Sequence, residues 1–348
     1  MHSYLLVVVL LFSSMVSSQD TSKSLINFSG YIDAYYSYDF SNPQNHIKNN
    51  FSYNHVKHNQ FAINLAFIKA NIETKNTRAN IAFMTGNYAK FNLVNEPAFL
   101  QNVLEANVGV KISAKNNIWL DFGVMPSHIG FESAISMDCW NLTRSIVAEN
   151  SPYYETGLKL SFSNNQNTFT AALLLLNGWQ VIVRKDGYRK PNYGAQLTYK
   201  PNSKLLINYS NFSGSVYADS INILRFYHNA YIVFEPNTTL GFTIGFDFGT
   251  EKEGNWFSPV FLIRKNTTSK TKLTLRYELF NDNNQIIIPT QKNYGFVVSG
   301  VSINYDYFVK SNFLLRIEAK NYFSKHELFD DNTKKSNFSL TAAVNYKL

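Results

Sequence analysis

The sequence predicts an all-β fold, a transmembrane antiparallel β-barrel of about sixteen strands with short periplasmic turns and long extracellular loops. Three observations carry that prediction. Segments of about ten residues that alternate apolar and polar recur from Ile26 to Leu348. The gaps between them switch regularly between short and long. No run of about eighteen apolar residues exists to form a spanning helix.

The segments pair in order along the chain. The first, 26–40, stands alone, and 60–72 with 78–86 flank the turn 73–77. Segments 103–113 and 117–125 flank 114–117, and 153–162 with 167–176 flank 163–166. Then come 193–200 with 204–212 around 201–203, and 224–234 with 239–248 around 235–238. The pairs 256–264 with 271–280 and 294–305 with 313–321 follow, and 337–348 closes the series. Asn, Gly, Pro, Ser and Lys crowd the short gaps because tight turns need a positive or preset φ and side-chain amides that mimic backbone partners. The other gaps, 41–59, 87–102, 126–152, 177–192, 213–223, 249–255, 281–293 and 322–336, are long and irregular. A soluble β-sandwich also alternates, but its strands run about five or six residues and its gaps are not sorted by length between two rims.

Side chains alternate along a strand, so facing follows from parity. In the first segment Ile26, Phe28, Ile32, Ala34, Tyr36 and Tyr38 share one face, expected to meet lipid. Asn27, Ser29, Tyr31, Asp33, Tyr35 and Ser37 share the other, expected to meet water. In the last, Phe338, Leu340, Ala342, Val344, Tyr346 and Leu348 oppose Asn337, Ser339, Thr341, Asn345 and Lys347. A mean hydropathy of −0.20 fits this averaging of a lipid face against a polar lumen. An aromatic share of 16% suits strands with interfacial girdles.

The polar parity supplies candidate lumen-lining charges of both signs. The acids are Asp33, Glu105, Asp121, Glu155, Asp247, Glu278 and Glu318. The bases are Lys111, Lys159, Lys200, Arg225, Arg276, Arg316 and Lys320. Such a mixture describes a hydrated interior with at most weak anion preference, and a barrel of this size leaves room for a channel. The gap 126–152 mixes Glu132, Asp138, Arg144 and Glu149 with Phe131, Trp140, Tyr153 and Tyr154. A loop so long and so mixed is expected to fold inward, with its acids and Arg144 setting a transverse field at a constriction. The competing reading is a compact surface loop packed on its own aromatics.

Residues 1–18 read as a signal peptide, with an apolar stretch from Tyr4 to Phe12 and small residues before Gln19. The mature domain is then 19–348. The formal charge of +8 is spread without a basic stripe, which gives no footprint for nucleic acid. One cysteine, Cys139, excludes a disulfide framework within the chain and reads as a free loop thiol.

Catalytic and metal readings find little support. His46, His55 and His58 fall in the first long gap and are expected to be solvated, since a metal would need a further ligand and outer partners. Ser127 and His128 are chain neighbours, not a nucleophile with an oriented base. No cofactor is implied.

From the first segment to the fourth long gap, several short patterns resemble one family. They are Gly30-Tyr-Ile-Asp-Ala-Tyr-Tyr36, Leu120-Asp-Phe-Gly123, Ile129-Gly-Phe-Glu132, Asn141-Leu-Thr-Arg-Ser145, Pro152-Tyr-Tyr-Glu-Thr-Gly157 and Asn177-Gly-Trp179. The chain is similar to the β-barrel porin-2, OmpL-like family of Bacteroidetes-type outer membranes. That resemblance implies an outer-membrane porin-like barrel without enzymatic activity or cofactor, and assigns no substrate or site residues. The expectation is passive diffusion of small hydrophilic solutes, with outer-membrane lipid and the barrel assembly machinery as partners and a homo-oligomer compatible with the apolar face. The alternatives are a ligand-specific uptake barrel and a plugged surface interaction or adhesion barrel.

Overall fold

The computed structural model describes residues 25–348 apart from 114, 222 and 253, so the expected signal peptide lies outside the described residues. Sixteen strands close one antiparallel barrel. They are β1 (Leu25–Asp39), β2 (Gln60–Glu73), β3 (Thr77–Thr85), β4 (Val103–Lys111), β5 (Asn117–Pro126), β6 (Tyr154–Ser163), β7 (Phe169–Leu176) and β8 (Asn192–Asn202). The second half comprises β9 (Leu205–Gly214), β10 (Arg225–Phe234), β11 (Leu240–Glu251), β12 (Gly254–Asn266), β13 (Thr271–Asp282), β14 (Phe296–Lys310), β15 (Phe313–Ser324) and β16 (Ser336–Lys347). Each strand bonds its sequence neighbours, and β1 joins β16 with Asp33 opposite Asn345 and Ser37 opposite Thr341. Closure leaves no unpaired sheet edge, which is what a sheet in hydrocarbon requires.

Turn chemistry works as the composition implies. Asn202 Oδ1 accepts the Lys204 and Leu205 amides at 2.9 and 3.2 Å, and Asn237 Oδ1 accepts those of Thr239 and Leu240 at 2.8 and 2.9 Å. Each amide side chain thus replaces a backbone partner at a short turn. Parity also assigns the outer face correctly: Ile32, Ile244, Phe246, Ile263, Leu275, Ile303 and Ile317 are exposed on the outside of the barrel.

Two expectations need correction. The gap 87–102 contains a short helix, α1 (Asn87–Asn92), and a 3-10 turn at Leu100–Asn102. It buries Tyr88, Ala89 and Leu93, a pattern too brief for helical periodicity to stand out in sequence. The second correction concerns the inward face, which is not uniformly polar. Along the wall, Phe212, Tyr227, Trp256, Val260, Leu262, Phe280, Phe296, Val298 and Tyr322 point inward and pack on Phe51, Ile129, Ile146 and Val147 from two loops. A second cluster joins Tyr31, Leu65, Phe67, Met84 and Val124 of the wall to Tyr88, Leu93 and Tyr153. Loops occupy this part of the lumen, so the wall meets protein instead of water and gains by burying apolar surface.

Candidate functional site: the third loop and the lumen

The third long loop leaves β5 after Pro126, crosses the lumen and returns at Tyr154. It folds inward, as its composition suggests, and not onto the surface. Its first anchor is His128, whose Nδ1 lies 2.7 Å from Glu155 Oε1 and whose Nε2 lies 2.7 Å from the Asn211 carbonyl oxygen. Both partners offer acceptor oxygens, an arrangement that favours the doubly protonated ring. Inward glycines make room for the loop. A Cβ on Gly194 would sit 2.7 Å from His128 Nε2, and one on Gly245 would sit 2.5 Å from a Phe131 ring carbon.

Further along, a 3-10 turn (Ser136–Asp138) leads to the short helix α2 (Ile146–Glu149), capped by Ser145, whose Oγ accepts the Ala148 amide at 3.3 Å. The wall opposite the loop's root then receives its backbone groups one by one. Glu278 accepts Ile146 N at 2.5 Å, Glu318 accepts Thr143 N at 2.6 Å, and Asn304 accepts Leu142 N at 3.0 Å. Arg316 donates to the carbonyls of Ser136, Cys139 and Trp140, and Lys320 donates to that of Arg144 at 2.8 Å. Backbone that would otherwise be unpaired inside the barrel is therefore satisfied by charged wall side chains.

At the centre sits Arg276, 1% exposed, with Glu318 at 3.0 Å, Glu132 at 3.3 Å and Glu278 at 3.4 Å. It also donates to the Thr143 carbonyl at 2.7 Å, and Lys320 shares Glu278 at 3.0 Å. One guanidinium fork thus ties two strands to two points of the loop.

The four candidate constriction residues separate into two groups. Glu132, Arg144 and Glu149 are buried within the loop's interior contacts, whereas Asp138 is exposed and bonds Lys347 on β16. Glu132 accepts from Ser145 N and Oγ as well as from Arg276. Arg144 donates to the Ser133, Leu142 and Ala134 carbonyls at 2.6, 2.8 and 3.1 Å. Glu149 Oε2 accepts Tyr53 N, Asn54 N and Asn54 Nδ2 of the first loop at 2.8, 3.1 and 3.0 Å, while burial pushes its pKa above the usual carboxylate range. These charges brace the loop itself and lock it to the first loop.

Of the candidate lumen residues, all but Lys111, Lys159 and Lys200 are buried. Glu105 pairs with Lys69 at 2.6 Å, Asp121 with Arg78 at 2.5 Å, Arg225 with Glu251 at 2.6 Å and Arg316 with Asp306 at 2.7 Å. Asp247 accepts Tyr227 Oη and Asn229 Nδ2, and Asp33 meets His55 at 3.0 Å. Lys111 and Lys159 are half-buried, and Lys200 is exposed on the short-turn side. The partners Lys69, Arg78, Glu251 and Asp306 were not singled out from sequence. Their shared parity with the wall charges is the signal that could have found them.

The first-loop histidines depart from the solvated expectation. His46 is exposed, but His55 and His58 are buried, His55 on Asp33 and His58 Nδ1 accepting the Asp39 amide at 2.9 Å. Burial lowers the pKa of both rings. Cys139 is a buried loop thiol whose pKa burial pushes up, which disfavours the reactive thiolate. Ser127 donates to Glu155 at 3.3 Å, while the ring nitrogen that a serine nucleophile would need is engaged with Asn211.

Above the third loop, a cavity of about 590 Å³ is lined by the first loop, the loop between β13 and β14, and the loop between β15 and β16. Deeper, past Asn337 to Ser339 on β16, a gap of about 10 Å³ is lined by Lys48, Asn49, Arg144, Glu149, Lys320 and Tyr322. That volume is about what one water needs.

The clamp at His128 predicts a pH response. Burial lowers its pKa, but Glu155 and the Asn211 carbonyl outweigh burial, so the value stands above that of a free histidine. Its stabilisation of the loop is full below about pH 6.5 and is lost as pH rises through the raised value. Channel current recorded across that window should grow or become noisier with rising pH in the native protein and stay flat in His128→Gln. Identical profiles for the two would remove the clamp from the account.

Residues 25–348 match the model of the family described as "Putative beta-barrel porin-2, OmpL-like". Among solved structures, the chain resembles an anion-selective porin from Comamonas acidovorans at TM-score 0.59 and 9% identity, covering 94% of this chain and 100% of that one. It resembles Salmonella typhi OmpF at TM-score 0.64 and 8% identity, and the outer-membrane channel DcaP of Acinetobacter baumannii at 0.60 and 9%, each covering 93% of this chain and 97% of that one. No curated protein matches the sequence.

Proposed function

The chain belongs to the β-barrel porin-2, OmpL-like family, and from that premise we propose that it is an outer-membrane pore for small hydrophilic solutes, narrowed by its third loop. The observation that carries this reading is the loop itself, held across the lumen by Arg276, Arg316, Lys320, Glu278 and Glu318. Polar side chains toward the short-turn side, including the Arg78–Asp121 pair, support a hydrated inner mouth. Interleaved charges of both signs favour weak ion preference. Residues 1–18 serve as the export leader in this reading, and barrel assembly machinery inserts the mature chain. Homo-oligomers would form through the apolar outer face.

The narrow gap beneath the vestibule favours a second reading, ligand-dependent uptake, in which the first and third loops shift when a solute arrives. Planar-bilayer recording separates the two. Small ohmic steps without added solute, with a reversal potential near zero across a salt gradient, support the general pore. Silence that a solute relieves supports uptake, and silence under every condition defeats both.

A further inference from the structure

We propose that the extracellular vestibule is a binding site for short, uncharged saccharides. Its volume of about 590 Å³ falls within the range of small-molecule sites. Asn42, Gln44 and Asn45 of the first loop face Thr290 and Gln291 of one neighbouring loop and Asn332 of another across that space. An amide offers a donor and an acceptor on one planar group, which is the pairing a sugar hydroxyl needs. Pro289 and Leu328 add apolar surface for the C–H faces of a pyranose ring.

The lining disfavours anions. Lys48 is its one cation among the described residues, too little to hold an anion in a wall that also carries carboxylates. Those carboxylates are mostly committed: Asp39 Oδ1 accepts Ser41 N and Asn337 Nδ2, and Asp330 pairs with Lys334 at 2.8 Å. What remains, besides Asp331, is chiefly a surface of side-chain amides.

The walls are also built in advance. Asp282 accepts three successive amides, Ile286, Ile287 and Ile288, at 2.9, 2.8 and 2.9 Å, and fixes the loop that carries Thr290 and Gln291. Opposite, Asp330, Asp331 and Asn332 hold φ of 51°, 54° and 63°, a left-handed run that side-chain-bearing residues avoid. The Thr333 and Lys334 amides pin that run to the Phe329 carbonyl at 3.0 Å each. Strain retained in an ordered loop lining a cavity is a mark of a functional surface. Beneath, a gap of about 10 Å³ between the first and third loops has room for about one water.

Binding does not depend on conduction, so its test is separate from that of the pore. Isothermal titration of the detergent-folded full chain with maltotriose should show saturable binding at one site per chain. Gluconate, an anionic polyol, should bind more weakly. Gln291→Leu with Asn332→Leu should weaken maltotriose by roughly tenfold, with folding checked by the mobility difference between unheated and boiled samples. Should that variant misfold, Gln44→Leu on the first loop serves in its place. Absence of saturable maltotriose binding, tighter binding of gluconate, or unchanged affinity in a folded variant overturns the proposal. A protein that conducts but does not bind loses this site alone, and one that binds but never conducts loses the pore alone.

Discussion

Deletion of residues 132–148 is expected to raise single-channel conductance severalfold. A barrel of sixteen strands leaves an aqueous lumen unless something fills it, and the deleted segment contains most of what does: Glu132, Asn141, Leu142, Thr143, Arg144, Ile146 and Val147. Without it, Arg276, Glu278, Arg316, Glu318 and Lys320 would line water, where their charges are well solvated. Val260 and Leu262, buried by the loop core, would become wet, so the folded band on gels should also convert at lower temperature. Unchanged conductance in a folded deletion protein would sink the constriction.

Arg276→Met should release the loop without removing any of it. The guanidinium is the group within ion-pair distance of three carboxylates, two on the wall and one on the loop. Methionine fills similar volume but leaves Glu132, Glu278 and Glu318 with Lys320 alone nearby. Removing one partner from a buried ion network typically costs about 3–5 kcal/mol, chiefly because the remaining charges stay desolvated. The expected readouts are noisier, larger currents and a lower conversion temperature. The double variant Arg276→Met with Glu318→Gln should lose less than the sum of the two single variants, since the second change removes a charge the first left stranded. Simple additivity would show that Arg276 and Glu318 act independently, against the geometry.

The barrel was legible in sequence because strand alternation and loop asymmetry are local signals. Ile26 to Tyr38 declare their faces without reference to any other strand, and the chemistry of Asn202 and Asn237 declares their turns. The inward fold of the third loop was legible too, through Trp140 and Phe131 lying beside charges in one long segment. What lies against the inward face was not. Parity places Trp256 and Tyr322 toward the lumen but says nothing of whether water or a loop fills it, and their apolar character signals burial only once the loop is known to be there. The pairing of Glu132 with Arg276 joins residues 144 positions apart, a relation that no spacing rule reaches. His55 and His58 were misjudged for the same reason: a loop that folds back into the barrel buries what a loop in solvent would leave wet.

The distances in chain between the third loop and its receptors bear on how the protein is made. Ile146 bonds Glu278 across 132 positions, Thr143 bonds Glu318 across 175, and Lys320 reaches Arg144 across 176. When the first six strands have emerged, none of those receptors exists, and the loop carries Arg144, Glu149 and a set of apolar side chains with nowhere to settle. Contacts of such sequence separation form late and slow folding. The loop can therefore reach its final conformation only once β13 and β15 are in place. A barrel that closed around an undocked loop would carry exposed hydrophobic surface on its inside, at Val260 and Leu262 among others, hidden from the lipid.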